Sequence, residues 1–180
     1  MKQSKIIFIG GIHGVGKTTI CQKIAATFNI EYFSASSLIQ KEKKEEYERG
    51  KQVSQVEGNQ EYLLKAIKKN FNNEKWYLLD GHFCLLNRNN KITKIPCSTY
   101  EFIFPSAIIV LIDNPDDICK RLESRDHIKY NVELLKELQD EELAYAKYLT
   151  NYLGIPYFSH CPFDNKNENK MLNFIKKNMM

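Results

Sequence analysis

The stretch GIHGVGKTT, residues 11 to 19, decides how the rest of the chain is read. It fits the spacing G-x-x-x-x-G-K-[ST], with Gly11, Gly16, Lys17 and Thr18 at the fixed positions. Such a loop curls so that successive backbone N–H groups point inward at phosphate oxygens. Glycines permit the backbone angles and the close approach this needs. A helix beginning at Lys17 adds its N-terminal dipole to the same anion. Lys17 then reaches the β- and γ-phosphates of a nucleotide, and the Thr18 hydroxyl is placed to ligate Mg²⁺. The expected nucleotide-holding residues are therefore Gly11, Ile12, His13, Gly14, Val15, Gly16, Lys17, Thr18 and Thr19.

The flanks supply the context the motif requires. Lys5 to Gly10 (KIIFIG) reads as a buried strand, and Lys17 to Phe28 as a helix with Ile20, Ile24, Ala25 and Phe28 on one face. A dinucleotide fold, the rival for a glycine-rich turn after a first strand, does not fit. Thr19 stands where its third glycine belongs, Lys17 lies inside the loop, and Glu31 opens the second strand instead of closing it.

Further along, short apolar runs alternate with longer helical patterns, which is the signature of a parallel α/β sheet. Strands are expected at Glu31–Phe33, Trp76–Leu79, Ala107–Ile112 and Ile155–Phe158. The stretch from Ser36 to about Phe71 reads as helical but broken near Gly50 and Gly58. Asn114 or Asp116 can cap a helix with Pro115 in its first turn. A long helix spans about Val132 to Tyr152, with Leu135, Leu138, Tyr145, Leu149 and Tyr152 on its buried face and Gly154 ending it. A last helix covers about Asn167 to Asn178. With 180 residues, no repeat and no dividing linker, one domain over residues 1–180 is expected.

Composition excludes several classes. Hydrophobic content of 43% and charge of 27% suit a globular protein, and no apolar run approaches the ~20 residues that cross a bilayer. The N-terminus runs straight into a strand-like stretch, so a cytoplasmic location is expected. Cys21, Cys84, Cys97, Cys119 and Cys161 lie far apart, which argues against a disulfide scaffold or a zinc site. A net charge of +4 suits polyanionic ligands but does not indicate nucleic acid.

Two further groups carry chemistry. WYLLDGH places Asp80 at the end of an apolar strand, where it can hold Mg²⁺ or turn the chain with Gly81. His82, two residues on, either orients a substrate or takes a proton, or is a hydrogen-bonded histidine beside the site. NPDDICKRLESRD puts Arg121 and Arg125 four apart on one helical face. Converging guanidiniums stabilise the charge that phosphoryl transfer spreads over the equatorial oxygens. The plainer reading is a solvated face with Glu123 or Asp126 as partner.

Together these residues resemble the P-loop kinases of the nucleoside monophosphate kinase type, nearest to archaeal-type adenylate kinases and, more broadly, AAA-type ATP-binding proteins. GIHGVGKTT is similar to their phosphate loop and LLDGH to their D-x-H after strand three. IIVLIDNPDDICKRLESRD looks like their fourth strand and arginine-bearing lid, and LAYAKYLTNYLGIPY like their long late helix and final strand. The resemblance implies a three-layer P-loop NTPase fold, a five-stranded parallel sheet flanked by helices, with Mg-ATP as donor. It also implies an acceptor-binding arm at about residues 34–71 and a short lid at about 121–131. In that arm Ser36 and Ser37 lie near the acceptor, and Ser159 to Asn165 is where the donor adenine is expected. This chain departs from the family in having Gln40 where many members carry an arginine for the acceptor phosphate. Arg49 is the only arginine nearby, with Lys51 beyond it.

The function expected is ATP-dependent phosphoryl transfer to a small molecule, most plausibly a nucleotide or nucleoside. An acceptor hydroxyl would make Asp80 a general base; an acceptor phosphate leaves it to the metal. The alternative is an ATPase acting on a protein partner, although the residue after Asp80 is Gly81 and no second acid stands there. A GTPase switch fits poorly, since NKNE at Asn165 to Glu168 ends in Glu and no D-x-x-G follows strand three. A nucleotide-binding module without catalysis is disfavoured by the intact Lys17, Thr18 and Asp80. The protein partner, if any, is not legible.

Overall fold

The fold was obtained as a computed structural model, which describes residues 3–48, 59–87, 89–163 and 167–180. In chain order the elements are β1 (Ile6–Gly10), α1 (Lys17–Phe28), β2 (Glu31–Ser34), α2 (Ala35–Glu48), α3 (Asn59–Asn70), β3 (Tyr77–Asp80), β4 (Cys84–Leu86) and β5 (Ile92–Lys94). They continue with α4 (Cys97–Ile103), β6 (Ala107–Leu111), α5 (Pro115–Asp126), α6 (Val132–Leu153), β7 (Tyr157–His160) and α7 (Glu168–Asn178).

Five strands form one parallel sheet in the order β2-β3-β1-β6-β7. Every residue of β1, β3 and β6 is buried, as expected where helices cover both faces of a sheet. Ile7, Ile9, Leu78, Leu79, Ile108, Ile109 and Leu111 form the centre of the core. The chain leaves β1 between β3 on one side and β6 on the other. The carboxyl ends of β1 and β3 therefore meet at the point where strand order reverses, the usual place for a ligand crevice. Register sets the detail: Ile9 pairs with Asp80, and Ser34 pairs with Asp80 from the other side.

Helix ends follow local chemistry. Asn114 Oδ1 accepts from the Asp116 N–H with Pro115 in the first turn, and Asn131 Oδ1 accepts from the Leu134 N–H at the start of α6. Gly154 ends α6 at φ 66°, the left-handed angle that favours glycine. Helices α2 and α3 lie side by side, with Lys69 of α3 bonded to Glu42 and Glu45 of α2, and Lys65 to Glu46. The two described helices of the charged arm are thus stitched together by ion pairs. The expected break near Gly50 and Gly58 lies outside the described residues.

Several boundaries differ from the reading of the sequence. Strand β7 begins at Tyr157, two residues late, because Ile155 and Pro156 are still leaving α6. Tyr152 is 56% exposed and not on the buried face, where Ala146 and Thr150 sit instead. Three elements were not anticipated: the antiparallel hairpin β4–β5 and the short helix α4. No helix among the described residues is long and apolar enough to cross a membrane.

Candidate active site

The phosphate loop leaves β1 with three glycines at positive φ: Gly11 at 144°, Gly14 at 78° and Gly16 at 100°. A Cβ on Gly11 would stand 2.7 Å from the Leu111 carbonyl oxygen, so only glycine fits that close approach. Ile12 and Val15 are fully buried and anchor the loop in the core, so they can offer a ligand only their backbone. Lys17 opens α1, and its Nζ donates to the carbonyls of Gly11 at 2.6 Å and Ile12 at 2.9 Å. Burial lowers the Lys17 pKa, opposed first by the charge of Glu142 and then by Asp80. A cavity of about 340 Å³ opens over this loop, lined by Gly14, Lys17, Thr18, Thr19, Asp80, Arg121 and Arg125 among others.

Asp80 closes β3 and is 6% exposed. The Tyr32 hydroxyl donates to its Oδ2 and also meets the Thr18 side chain, so Thr18 and Asp80 both lie within reach of one phenol oxygen. Burial first, then this bond to Asp80, pushes the Tyr32 pKa far up. Two hard oxygen donors brought together beside a phosphate loop suit Mg²⁺, which takes one or two protein oxygens and otherwise phosphate and water.

The His82 and His13 rings pack against each other, tilted by 41°, with centroids 4.2 Å apart. Burial is the main cause that lowers His82 to about 3 and His13 to about 4, so both rings are neutral at neutral pH. His82 Nδ1 lies 3.3 Å from Glu142 Oε1.

The two arginines take different posts. Arg121 donates from Nε to the Gly14 carbonyl at 3.0 Å and from Nη2 to Asp113 Oδ2 at 2.6 Å. Its guanidinium also sits 4.5 Å over the Phe163 ring. It is therefore pinned against the outer side of the loop, at the stretch where the donor adenine was expected; residues 164–166 of that region lie outside the described residues. Arg125 donates from Nε and Nη2 to Asp126 at 2.6 and 2.7 Å, the partner the plainer reading named, while still lining the phosphate cavity. Helix α5 ends at Asp126, so the segment expected as a lid, about 121–131, comprises the end of α5 and the short connection to α6.

A second cavity of about 370 Å³ lies between the arm and α4. Its walls are apolar, with Phe8, Ile39, Leu63 and Tyr100, and its polar groups include Gln40, Lys43, Asn59 and Gln60. Ser36, His13, Asp80 and His82 line both this cavity and the phosphate cavity. Ser37 is exposed on α2 and lines neither; Arg49 lies outside the described residues.

Four participants escaped the sequence reading. Tyr32, Asp113 and Phe163 carry no motif; Tyr32 and Phe163 act through neighbours distant in the chain, and Asp113 through Arg121 on the helix that follows it. Glu142 did leave a trace: the 3-4-3-4 spacing of Leu135, Leu138, Glu142, Tyr145 and Leu149 puts a carboxylate on the buried stripe of α6.

Comparison with known proteins agrees with this geometry. The sequence profile of the AAA domain family matches residues 10–139, more than half of the chain. Adenylate kinase isoenzyme 1 of Sus scrofa is 25% identical over 161 residues, covering 84% of this chain and 77% of that protein. A shikimate kinase from Acinetobacter baumannii, solved in complex with shikimate, superposes with a TM-score of 0.58 at 15% identity, covering 96% of this chain and 93% of that one. A gluconokinase from Sinorhizobium meliloti 1021 gives a TM-score of 0.51 at 15% identity, covering 98% and 89%. At such identity the two solved structures speak for the fold. Matched over most of its length by that profile, the chain belongs to the AAA domain family, and it has the fold of the P-loop small-molecule kinases.

Proposed function

We propose that this chain is an ATP-dependent phosphotransferase that moves the γ-phosphoryl group of ATP to a small molecule, a nucleotide or nucleoside. One observation carries the reading: the phosphate cavity and the arm-side cavity share the walls formed by His13, Ser36, Asp80 and His82. A donor in the first and an acceptor in the second would meet at Asp80. Two adjoining cavities suit transfer between two bound molecules better than hydrolysis, which needs room only for water.

The loop N–H groups and Lys17 hold the donor phosphates, and Arg121 and Arg125 face the same cavity to offset the charge of the transferring group. Thr18 and Asp80 would hold Mg²⁺, which would offset the negative charge of the donor phosphates. The acceptor oxygen bonds to the γ-phosphorus as the bond to the β–γ bridging oxygen breaks, and ADP leaves. With a hydroxyl acceptor the proton passes to Asp80; with a phosphate acceptor no proton transfer is needed and Asp80 serves the metal. The five cysteines are free thiols, which suits the reducing cytoplasm.

Phosphorus NMR with Mg-ATP and a pooled panel of nucleosides and nucleoside monophosphates tests the reading. A new phosphorylated acceptor, absent with Lys17→Ala, is the expected result. Lys17-dependent ADP and free phosphate, unchanged by any acceptor, would replace the kinase with an ATPase.

A further inference from the structure

Helix α6 buries one carboxylate completely, and the chemistry above does not use it. Glu142 is 0% exposed. It reaches out of the core toward the turn that follows Asp80. Its Oε2 accepts from the Phe83 N–H at 2.8 Å, and the Cys84 backbone adds a second hydrogen bond. Its Oε1 faces His82 Nδ1 at 3.3 Å. The His82 ring continues the contact outward, meeting the backbone of Gly11 and packing at a tilt against His13. Gly11 is also the residue whose carbonyl receives Lys17 Nζ. A line of polar contacts thus runs from the middle of α6, through His82, to the phosphate loop and to the wall shared by both cavities.

We propose that Glu142 is a positioning residue, a buried hydrogen-bonding strut that sets the orientation and tautomer of His82 between donor and acceptor. The proposal builds on the phosphotransferase reading for its kinetic consequence, but its structural part stands apart from it. A buried carboxyl that merely satisfied the turn would need only the Phe83 and Cys84 N–H groups. The second oxygen, aimed at an imidazole nitrogen, fixes which ring nitrogen carries hydrogen, as outer partners of functional histidines commonly do. Lys17 on α1, Cys84 on β4 and Tyr100 on α4 are the other titratable groups that face it. Burial raises the Glu142 pKa, which favours the neutral acid, a form whose O–H donates to His82 Nδ1. The strut acts on His82 through that hydrogen bond.

The test compares Glu142→Gln with Glu142→Leu. The glutamine keeps an acceptor for the Phe83 N–H and a donor for Nδ1, whereas leucine keeps only the volume. In ¹⁵N-labelled protein at neutral pH, His82 is expected to show an acceptor Nδ1 and a protonated Nε2 in the wild type and in the glutamine variant. The leucine variant should lose that pattern. For phosphoryl transfer, leucine should lower kcat about 10- to 100-fold with little change in KM for ATP, and glutamine should restore most of it. A glutamine variant as impaired as the leucine one would overturn the strut, because charge would then be what matters. An unchanged His82 tautomer in folded Glu142→Leu protein would overturn it as well. Should the leucine variant fail to fold, a wild-type His82 that exchanges between tautomers at neutral pH has the same force. The tautomer reading needs no turnover, so it stands or falls separately from the kinase assignment.

Discussion

The hydroxyl of Tyr32, on β2, donates to Oδ2 of Asp80 at the end of β3, and the same hydroxyl meets Thr18. Parallel pairing of β2 with β3 brings these residues together although they lie 48 apart in sequence. Tyr32→Phe removes one hydrogen bond to a buried carboxylate, a loss of about 1.5–3 kcal/mol for a charged partner. The melting temperature should fall by several degrees, and phosphoryl transfer should weaken as Asp80 loses its restraint. An unshifted melting curve would show that the phenol does not hold the carboxylate.

Lys17→Met should abolish transfer while leaving the fold intact or firmer. Burial already disfavours the ammonium, so its loss costs the resting protein little. Loss of a cation that meets the transferring phosphates should lower kcat by at least about 10²-fold. Turnover together with thermal denaturation separates the two effects; equal losses in both would point to a structural role.

Arg121→Lys should behave like Arg121→Ala in raising the KM for ATP. The guanidinium serves Gly14, Asp113 and the Phe163 face at once, and a point-charge ammonium cannot make all three contacts. Arg125 is bound to Asp126 and Tyr130, at and just beyond the end of its own helix, and not to the loop, so Arg125→Ala should leave ATP binding nearly unchanged and act on kcat. Titration calorimetry with a non-hydrolysable ATP analogue checks the binding half of this contrast.

Gly10→Ala should destabilise the protein by about 1–3 kcal/mol through overpacking. A Cβ at Gly10 would come within 2.0 Å of the fully buried Phe83 ring. Phe83→Leu in the same chain should recover part of the loss, read as a coupling term in a double-mutant cycle. Simple additivity would mean the ring moves aside freely.

Stability should peak at about pH 6.5 and fall on both sides. Burial lowers His82 from 6.5 to about 3, so below pH 6.5 the unfolded chain binds a proton that the folded one refuses, and stability falls as pH falls through that window. Burial raises Glu142 from 4.5 to about 8, so the folded chain keeps a proton the unfolded one has released, and stability falls as pH rises through that window. Each contributes a slope of about 1.4 kcal/mol per pH unit, and the two oppose one another where they overlap. His13 adds to the acid side, weakened by its exposure. Urea unfolding midpoints across pH, with Glu142→Gln alongside, check this: the variant should lose the alkaline decline.

Much of the fold was legible because its signals are local. Helix α1 runs from Lys17 to Phe28, as its periodicity indicates, Asn114 caps α5, and Gly154 stops α6. The hairpin β4–β5 was not legible, since strands of three residues are too short to show a period of two. Tyr152 was misread because the buried face of α6 rotates to Ala146, Thr150 and Leu153 over its last turns, leaving Tyr148 and Tyr152 stacked on the outer face.

The sequence by itself determined the phosphate loop, the acid at the end of the third sheet strand and the arginine-bearing helix, because spacing within one turn or one strand dictates which backbone and side-chain groups can converge. Only the tertiary structure decided that Tyr32 holds Asp80, that Asp113 and Phe163 hold Arg121, and that Glu142 stands behind His82. Those pairings join residues brought together by parallel strand register and by helix packing across the sheet. No local preference encodes such contacts, since each partner sits in a stretch that would form the same element without the other.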